Sequence, residues 1–221
     1  MKLLFALLFA AKVIVAEPLA AVLVRMDDAA KQFRAVSAHM KRAQFTAVLD
    51  ETTTTDGTML LKHEKSGTIG LIEFKDPDPR TVAIKGKSIQ IFYPKANLVE
   101  IYDASKYISN IDQLLLLGFG TTVSELRKSY DIHDGGTEKL NGTDATRLDL
   151  WPKSAELKKL VAKIELWIRD GQANPAREKI TKPSKDYDLV DYTETKLNPT
   201  LPDSAFLLKL PAGIRKIEPQ K

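Results

Sequence analysis

The sequence predicts an α+β fold in which one curved antiparallel sheet is covered by a few helices. From about Gln44 onward, short segments rich in Val, Ile, Thr, Tyr and Phe are punctuated by turn residues at roughly eight- to twelve-residue intervals. Helical periodicity is confined to the N-terminal region and one interruption near the middle. No βαβ alternation, internal repeat or low-complexity linker occurs, so the 221 residues read as one domain.

Leu19 to Met40 reads as the first helix, because Leu23, Met26, Ala30, Phe33 and Val36 recur at three- and four-residue spacing. Phe45 to Thr53 and Thr58 to Lys62 follow as a hairpin around Asp56-Gly57. Gly70 to Lys75 alternates and stops at Asp76-Pro77-Asp78-Pro79, where proline removes the pairing donor. Thr81 to Lys85, Ser88 to Tyr93 and Leu98 to Tyr102 extend the meander. Between Asp103 and Ser129, Tyr107, Ile108, Ile111, Leu114, Leu115 and Leu117 suit a helix that ends around Gly118 and Gly120. Thr122 and Glu125 have the spacing of a capping box, which opens a second short helix. Tyr130 to Lys139 and Thr143 to Trp151 form a hairpin at Asn141-Gly142, and Lys163 to Arg169, Ala176 to Thr181 and Leu189 to Leu197 complete about ten or eleven strands.

Composition excludes several classes. The chain is 43% hydrophobic and 28% charged with a formal charge of +4, an ordinary globular balance. Met1-Lys2 and the apolar run Leu3 to Ala11 have the form of an export signal ending at Ala16, which leaves 17–221 as the mature domain. That run is too short for a bilayer span of ~20 residues. Removing it takes Lys2 and Lys12 and no acid, which leaves 31 of the 33 basic residues against 29 acidic ones. No basic run with interleaved aromatics marks a nucleic-acid partner. The chain has no cysteine, so disulfides, thiolate metal sites and cysteine nucleophiles are excluded, as is a lipid anchor on a cysteine.

Catalytic and metal chemistry find no foothold either. His39, His63 and His133 are the only histidines, and none are spaced as a helical metal pair. Gly86-Lys87-Ser88 ends like a phosphate loop, but Thr81 stands where its first glycine belongs. Gly-x-Ser-x-Gly does not occur. The expectation is a non-enzyme without metal or cofactor.

The informative excess is apolar. Ile72, Phe74, Val82, Ile84, Ile89, Ile91 and Tyr93 share a parity within their strands and can line one face. Leu114 to Leu117 and Phe119 add an apolar helix end that must meet the sheet, another helix or a ligand. Two readings of that face stand open: an ordinary core closed by helices, or a cavity that shelters a hydrocarbon.

Four stretches, taken in order, resemble the LolA-type outer-membrane lipoprotein carriers: Arg25-Met26-Asp27-Asp28-Ala29-Ala30-Lys31-Gln32-Phe33, Gly57-Thr58-Met59-Leu60-Leu61-Lys62, Glu73-Phe74-Lys75-Asp76-Pro77-Asp78-Pro79 and Gly86-Lys87-Ser88-Ile89-Gln90-Ile91-Phe92-Tyr93-Pro94. The similarity continues through Leu197-Asn198-Pro199 and Leu208-Lys209-Leu210-Pro211-Ala212-Gly213-Ile214. The resemblance implies an unclosed β-barrel with a lid of about three helices. It also implies a monomeric periplasmic shuttle for acylated lipoproteins, loaded by an inner-membrane transporter and emptied by an outer-membrane receptor. The seven strand residues become a lipid cavity, and Ile111, Leu114, Leu115 and Phe119 the lid. Carriers of the family have an arginine tied to lid control where His63 stands here, so His63 is the candidate latch or rim residue, with fewer donors. An envelope sensor of lipid or lipoprotein on the same scaffold is the alternative.

Overall fold

The structure, a computed structural model, describes residues 17–64, 67–105 and 114–219. The expected signal segment lies outside these residues, as do Tyr107, Ile108 and Ile111 of the expected lid helix.

Helix α1 spans Leu19–Lys31 and buries Val22, Leu23, Met26 and Ala30. It ends nine residues before the expected Met40, because the chain becomes strand β1 (Ala35–Thr46). Ala35, Val36, Ala38 and Met40 are buried while His39 and Lys41 are exposed, a period of two that overrides the helical spacing. Asn198 fixes the change of direction. Its side chain accepts from the amides of Arg34 at 2.7 Å and Ala35 at 3.3 Å, and donates to the Gln32 carbonyl at 3.0 Å.

The first hairpin also turns elsewhere. β1 pairs with β2 (Glu51–Glu64) around residues 47–50, and Asp56-Gly57 lies inside β2. A Cβ at Gly57 would sit 2.3 Å from the Glu73 carbonyl oxygen, so the glycine serves close strand approach and not a turn. β3 (Gly67–Phe74), β4 (Arg80–Lys85), β5 (Ser88–Tyr93) and β6 (Leu98–Asp103) continue the meander. Helix α2 (Val123–Ser129) has the expected capping box at Thr122 and Glu125, and the Val123 amide also donates to Asp27 of α1 at 2.9 Å.

Next come β7 (Tyr130–Leu140) and β8 (Thr143–Pro152), joined at Asn141-Gly142, where both residues have positive φ, 51° and 83°. Helix α3 (Ala155–Leu160), capped by Ser154, was not evident from periodicity because it is under two turns long. β9 (Lys163–Arg169), β10 (Pro175–Thr181), β11 (Tyr187–Leu197) and β12 (Arg215–Ile217) complete the set.

The twelve strands among the described residues form one sheet in the order β12-β6-β5-β4-β3-β2-β1-β11-β10-β9-β8-β7. All neighbours are antiparallel except β12 beside β6. β7 and β12 stand at opposite ends of that order, so the barrel is unclosed, as the resemblance implied. The short parallel β12 is the strand beyond the expected count.

The helices cover one face. Val22, Leu23 and Met26 of α1, Leu126 of α2 and Leu157 of α3 pack with Leu148, Leu150, Ile164, Leu166 and Ile168. Each such side chain contributes about 1.5–3 kcal/mol by leaving water. The alternate positions of β8 and β9 carry ion pairs, Arg147 with Asp149 at 3.0 Å and Lys163 with Asp149 at 2.9 Å. A second cluster joins Val36, Ala38, Met40, Met59 and Leu61 to Leu116, Phe119 and Tyr192.

Candidate functional site

On that covered face, β3, β2, β1, β11 and β10 are consecutive in the sheet, and a cavity of about 290 Å³ lies across them. Met40 and Arg42 of β1, Met59 of β2 and Ile72 and Phe74 of β3 form one side. Glu178 and Ile180 of β10 and Asp188, Val190 and Tyr192 of β11 form the other, and Leu114 and Leu115, both helical, complete the wall. An apolar cavity of ~150 Å³ holds a benzene ring, so about a dozen carbon atoms fit here.

The turn after Leu115 sets this wall. Leu116 O accepts from the amides of Phe119 at 3.0 Å and Gly120 at 2.9 Å, which reverses the chain within one turn. Gly118 has φ of 75°, and a Cβ there would lie 2.9 Å from Pro175, so this position requires glycine. Phe119 is buried and meets Tyr192 edge-on, with centroids 5.4 Å apart.

Two polar features interrupt the apolar lining. At one, Arg42 donates to Asp188 Oδ1 from Nε at 2.9 Å and Nη2 at 2.6 Å. The Arg42 and Arg80 guanidinium carbons lie 5.5 and 4.9 Å from the Phe74 ring centroid, within cation–π range. At the other, Glu178 is 5% exposed and accepts from the Tyr192 hydroxyl at 2.9 Å through Oε2. Its Oε1 is buried without a hydrogen-bond partner among the described residues. Burial pushes the Glu178 carboxyl up to about 7; the Tyr192 hydrogen bond opposes this and the charge of Asp188 adds to it. Burial likewise pushes the Tyr192 hydroxyl well above its usual range, with the charge of Glu178 next. The Tyr130 hydroxyl is also buried and without a partner among the described residues, and burial followed by the charge of Glu178 pushes it up to about 12.

The strand registers place all seven expected cavity residues on one face, since Ile72 faces Val82, Val82 faces Ile91, Ile84 faces Ile89 and Tyr93 faces Leu98. Ile72 and Phe74 are on the cavity wall. Ile84 is buried, while Val82, Ile89, Ile91 and Tyr93 are half-buried, all on the same face. Of the expected lid residues, Leu114 and Leu115 line the cavity, Phe119 packs behind Tyr192, and Ile111 is outside the described residues. His63 is exposed near the end of β2, away from the cavity wall, and its charge is among the smaller influences that lower the Glu125 carboxyl, chiefly held down by hydrogen bonds from Thr122.

Met40, Arg42, Met59, Glu178, Ile180, Asp188, Val190 and Tyr192 belong to the wall without having stood among the expected residues. Met40 was hidden by the overlong helix, and Arg42 fell between that helix and the strand expected from Phe45, whereas both lie in β1. Glu178 left a legible mark, because Ala176, Glu178 and Ile180 alternate with Arg177, Lys179 and Thr181, which puts a carboxyl on the apolar side of β10.

Fold and cavity together define an open half-barrel with a small, mainly apolar chamber beside its helical cover. No family model and no curated protein matches the sequence. Among solved structures, an uncharacterized conserved protein from Thermus thermophilus superposes with a TM-score of 0.52 at 12% identity, covering 90% of this chain and 98% of that one. MucB superposes with a TM-score of 0.50 at 14% identity over 86% of this chain. The chain spans 62% of the length of that MucB chain. A LolA superfamily protein, NE2245 from Nitrosomonas europaea, matches at 13% identity with a TM-score of 0.41, covering 87% of this chain and 99% of its own. The first two share this fold.

Proposed function

We propose that this protein is a periplasmic carrier that holds an acyl chain in the chamber and moves acylated lipoproteins from the inner to the outer membrane. The observation that carries this reading is the cavity of about 290 Å³ between Leu114-Leu115 and the strands bearing Met59, Ile72 and Val190. Its walls are suited to hydrocarbon, whose transfer from water contributes ~0.8 kcal/mol per methylene. About ten methylenes therefore supply roughly 8 kcal/mol before the costs of association. Nothing in that transfer needs a catalytic group, so the reading is of a binding protein and not an enzyme. The half-buried Val82, Ile89 and Ile91 continue the apolar face and offer room for a longer tail. In this reading an inner-membrane transporter loads the chamber and an outer-membrane receptor empties it.

Purification from the periplasm without detergent, followed by solvent extraction and mass spectrometry, tests the reading. Acylated protein or lipid is expected with the wild type and is lost in Ile72→Asp or Leu115→Asp. A lipid-free protein that also fails to bind added fatty acids overturns it, and a lipid-free protein recovered with a stable regulatory partner favours the sensor alternative.

A further inference from the structure

Glu178 is out of place in a chamber whose sole task is to hold plain hydrocarbon. Asp188, the other acid on the wall, has Arg42 and Lys182 as cations at 2.6 and 3.7 Å. Among the described residues Glu178 has no cation within salt-bridge distance, and the Tyr192 hydroxyl satisfies only Oε2. Its neighbours in register are Leu166 of β9 and Val190 of β11, both apolar. A carboxyl oxygen left unpaired in such surroundings is costly, and an apolar side chain of similar size would fill the place without that cost. The Tyr130 hydroxyl, the other buried group that feels the Glu178 charge, makes no hydrogen bond to it, so the missing partner is best sought in the ligand.

Resting on the acyl-chain reading, we propose that the chamber selects acyl chains that carry a hydroxyl or amide group close to the head, and that this group hydrogen-bonds Glu178 Oε1. Both groups suit the carboxyl in either protonation state. A hydroxyl or amide N–H donates to the carboxylate, and a hydroxyl oxygen or amide carbonyl accepts from the protonated acid. A plain tail offers neither and leaves Oε1 unpaired. This rejection of an analogue lacking the polar group is the discrimination that a buried, unpaired protein group imposes.

The test compares dodecanoic acid, 3-hydroxydodecanoic acid and N-dodecanoylglycine by calorimetric titration of the full chain. One or both polar probes are expected to bind the wild type about tenfold more tightly than dodecanoic acid. Which of them does so separates a hydroxylated fatty chain from an N-acyl group. Glu178→Met is expected to bring the ratio of polar-probe to dodecanoic acid affinity to about one. Glu178→Gln, which keeps a hydrogen-bonding oxygen, is expected to retain the preference and guards against misfolding of the methionine variant. Equal affinities in the wild type, or a preference that survives Glu178→Met, overturn this inference alone. Failure of all three probes to bind overturns the acyl-chain reading together with it.

Discussion

The two wings of the sheet carry the same inward apolar pattern and put it to different use. On the β7–β10 wing, Leu148, Leu150, Ile164, Leu166 and Ile168 are fully buried under α1, α2 and α3. On the β3–β6 wing, Val82, Ile89, Ile91 and Tyr93 are half-buried, and the cavity sits where the wings meet. Alternation fixes which face a side chain takes, but whether that face is filled depends on the volume that other elements bring to it. Three helices fill one wing with Val22, Leu23, Met26, Leu126 and Leu157, and the chamber begins where they stop.

The largest expected consequence concerns the filled wing. Leu166→Ala removes a fully buried side chain from a closely packed cluster that has little freedom to collapse. Urea unfolding is expected to show a loss of about 3–5 kcal/mol. A loss below about 1 kcal/mol would mean that this wing is as loosely packed as the other, and the contrast would break.

At the seam, Glu178 ties stability to pH. Its folded carboxyl stands at about 7 against an ordinary 4.5, so the native state holds a proton that the unfolded chain has already released. The associated stability is fully present below about pH 4.5 and declines as pH rises through about 7, by about 3 kcal/mol in all. Glu178→Gln removes this dependence, and the difference between its unfolding free energies at pH 5 and pH 9 should be smaller than that of the wild type. Identical pH profiles for the two proteins would show that the carboxyl is better solvated than its 5% exposure implies.

A smaller effect is expected where β1, which lies between the two wings, begins. Asn198→Ala removes three hydrogen bonds at the α1–β1 junction, and Asn198 itself has φ of 53°. Asn198 is half-buried, so water replaces part of what is lost, and thermal unfolding should register about 1–2 kcal/mol. No measurable change would place the control of that junction in the backbone pairing of β1 with β11 alone.

These residues also show what the sequence made legible. The parity of Ile72, Phe74, Val82, Ile84, Ile89, Ile91 and Tyr93 was readable because a strand has a strict period of two, and the registers put all seven on one face. The end of α1 was not readable. Val36 and Met40 are four apart and satisfy a helical stripe, while the element that decides against it, Asn198, lies more than 150 residues away. Asp56-Gly57 misled for a similar reason: glycine at a turn and glycine beneath a neighbouring carbonyl look alike in one dimension. A third of the cavity wall was expected, since Ile72, Phe74, Leu114 and Leu115 belong to strong local patterns, whereas Val190 and Tyr192 join it through the pairing of β11 with its neighbours.

The smallest expected effect is the most discriminating for the contrast between wings. Ile91 shares a transverse row with Val82 and Ile72, so it lies on the face that leads away from the chamber. It is half-buried, and truncation removes few packed contacts and leaves a space that water can enter. Ile91→Ala should therefore cost less than about 1 kcal/mol in urea unfolding, well below the loss for Leu166→Ala under the same conditions. If the face accepts the far end of a long tail, the same substitution lowers affinity for a sixteen-carbon fatty acid while leaving a ten-carbon one, which ends inside the chamber, about unchanged. A stability loss equal to that of Leu166→Ala would show a wing as filled as its counterpart, and equal effects on both chain lengths would confine the tail to the seam.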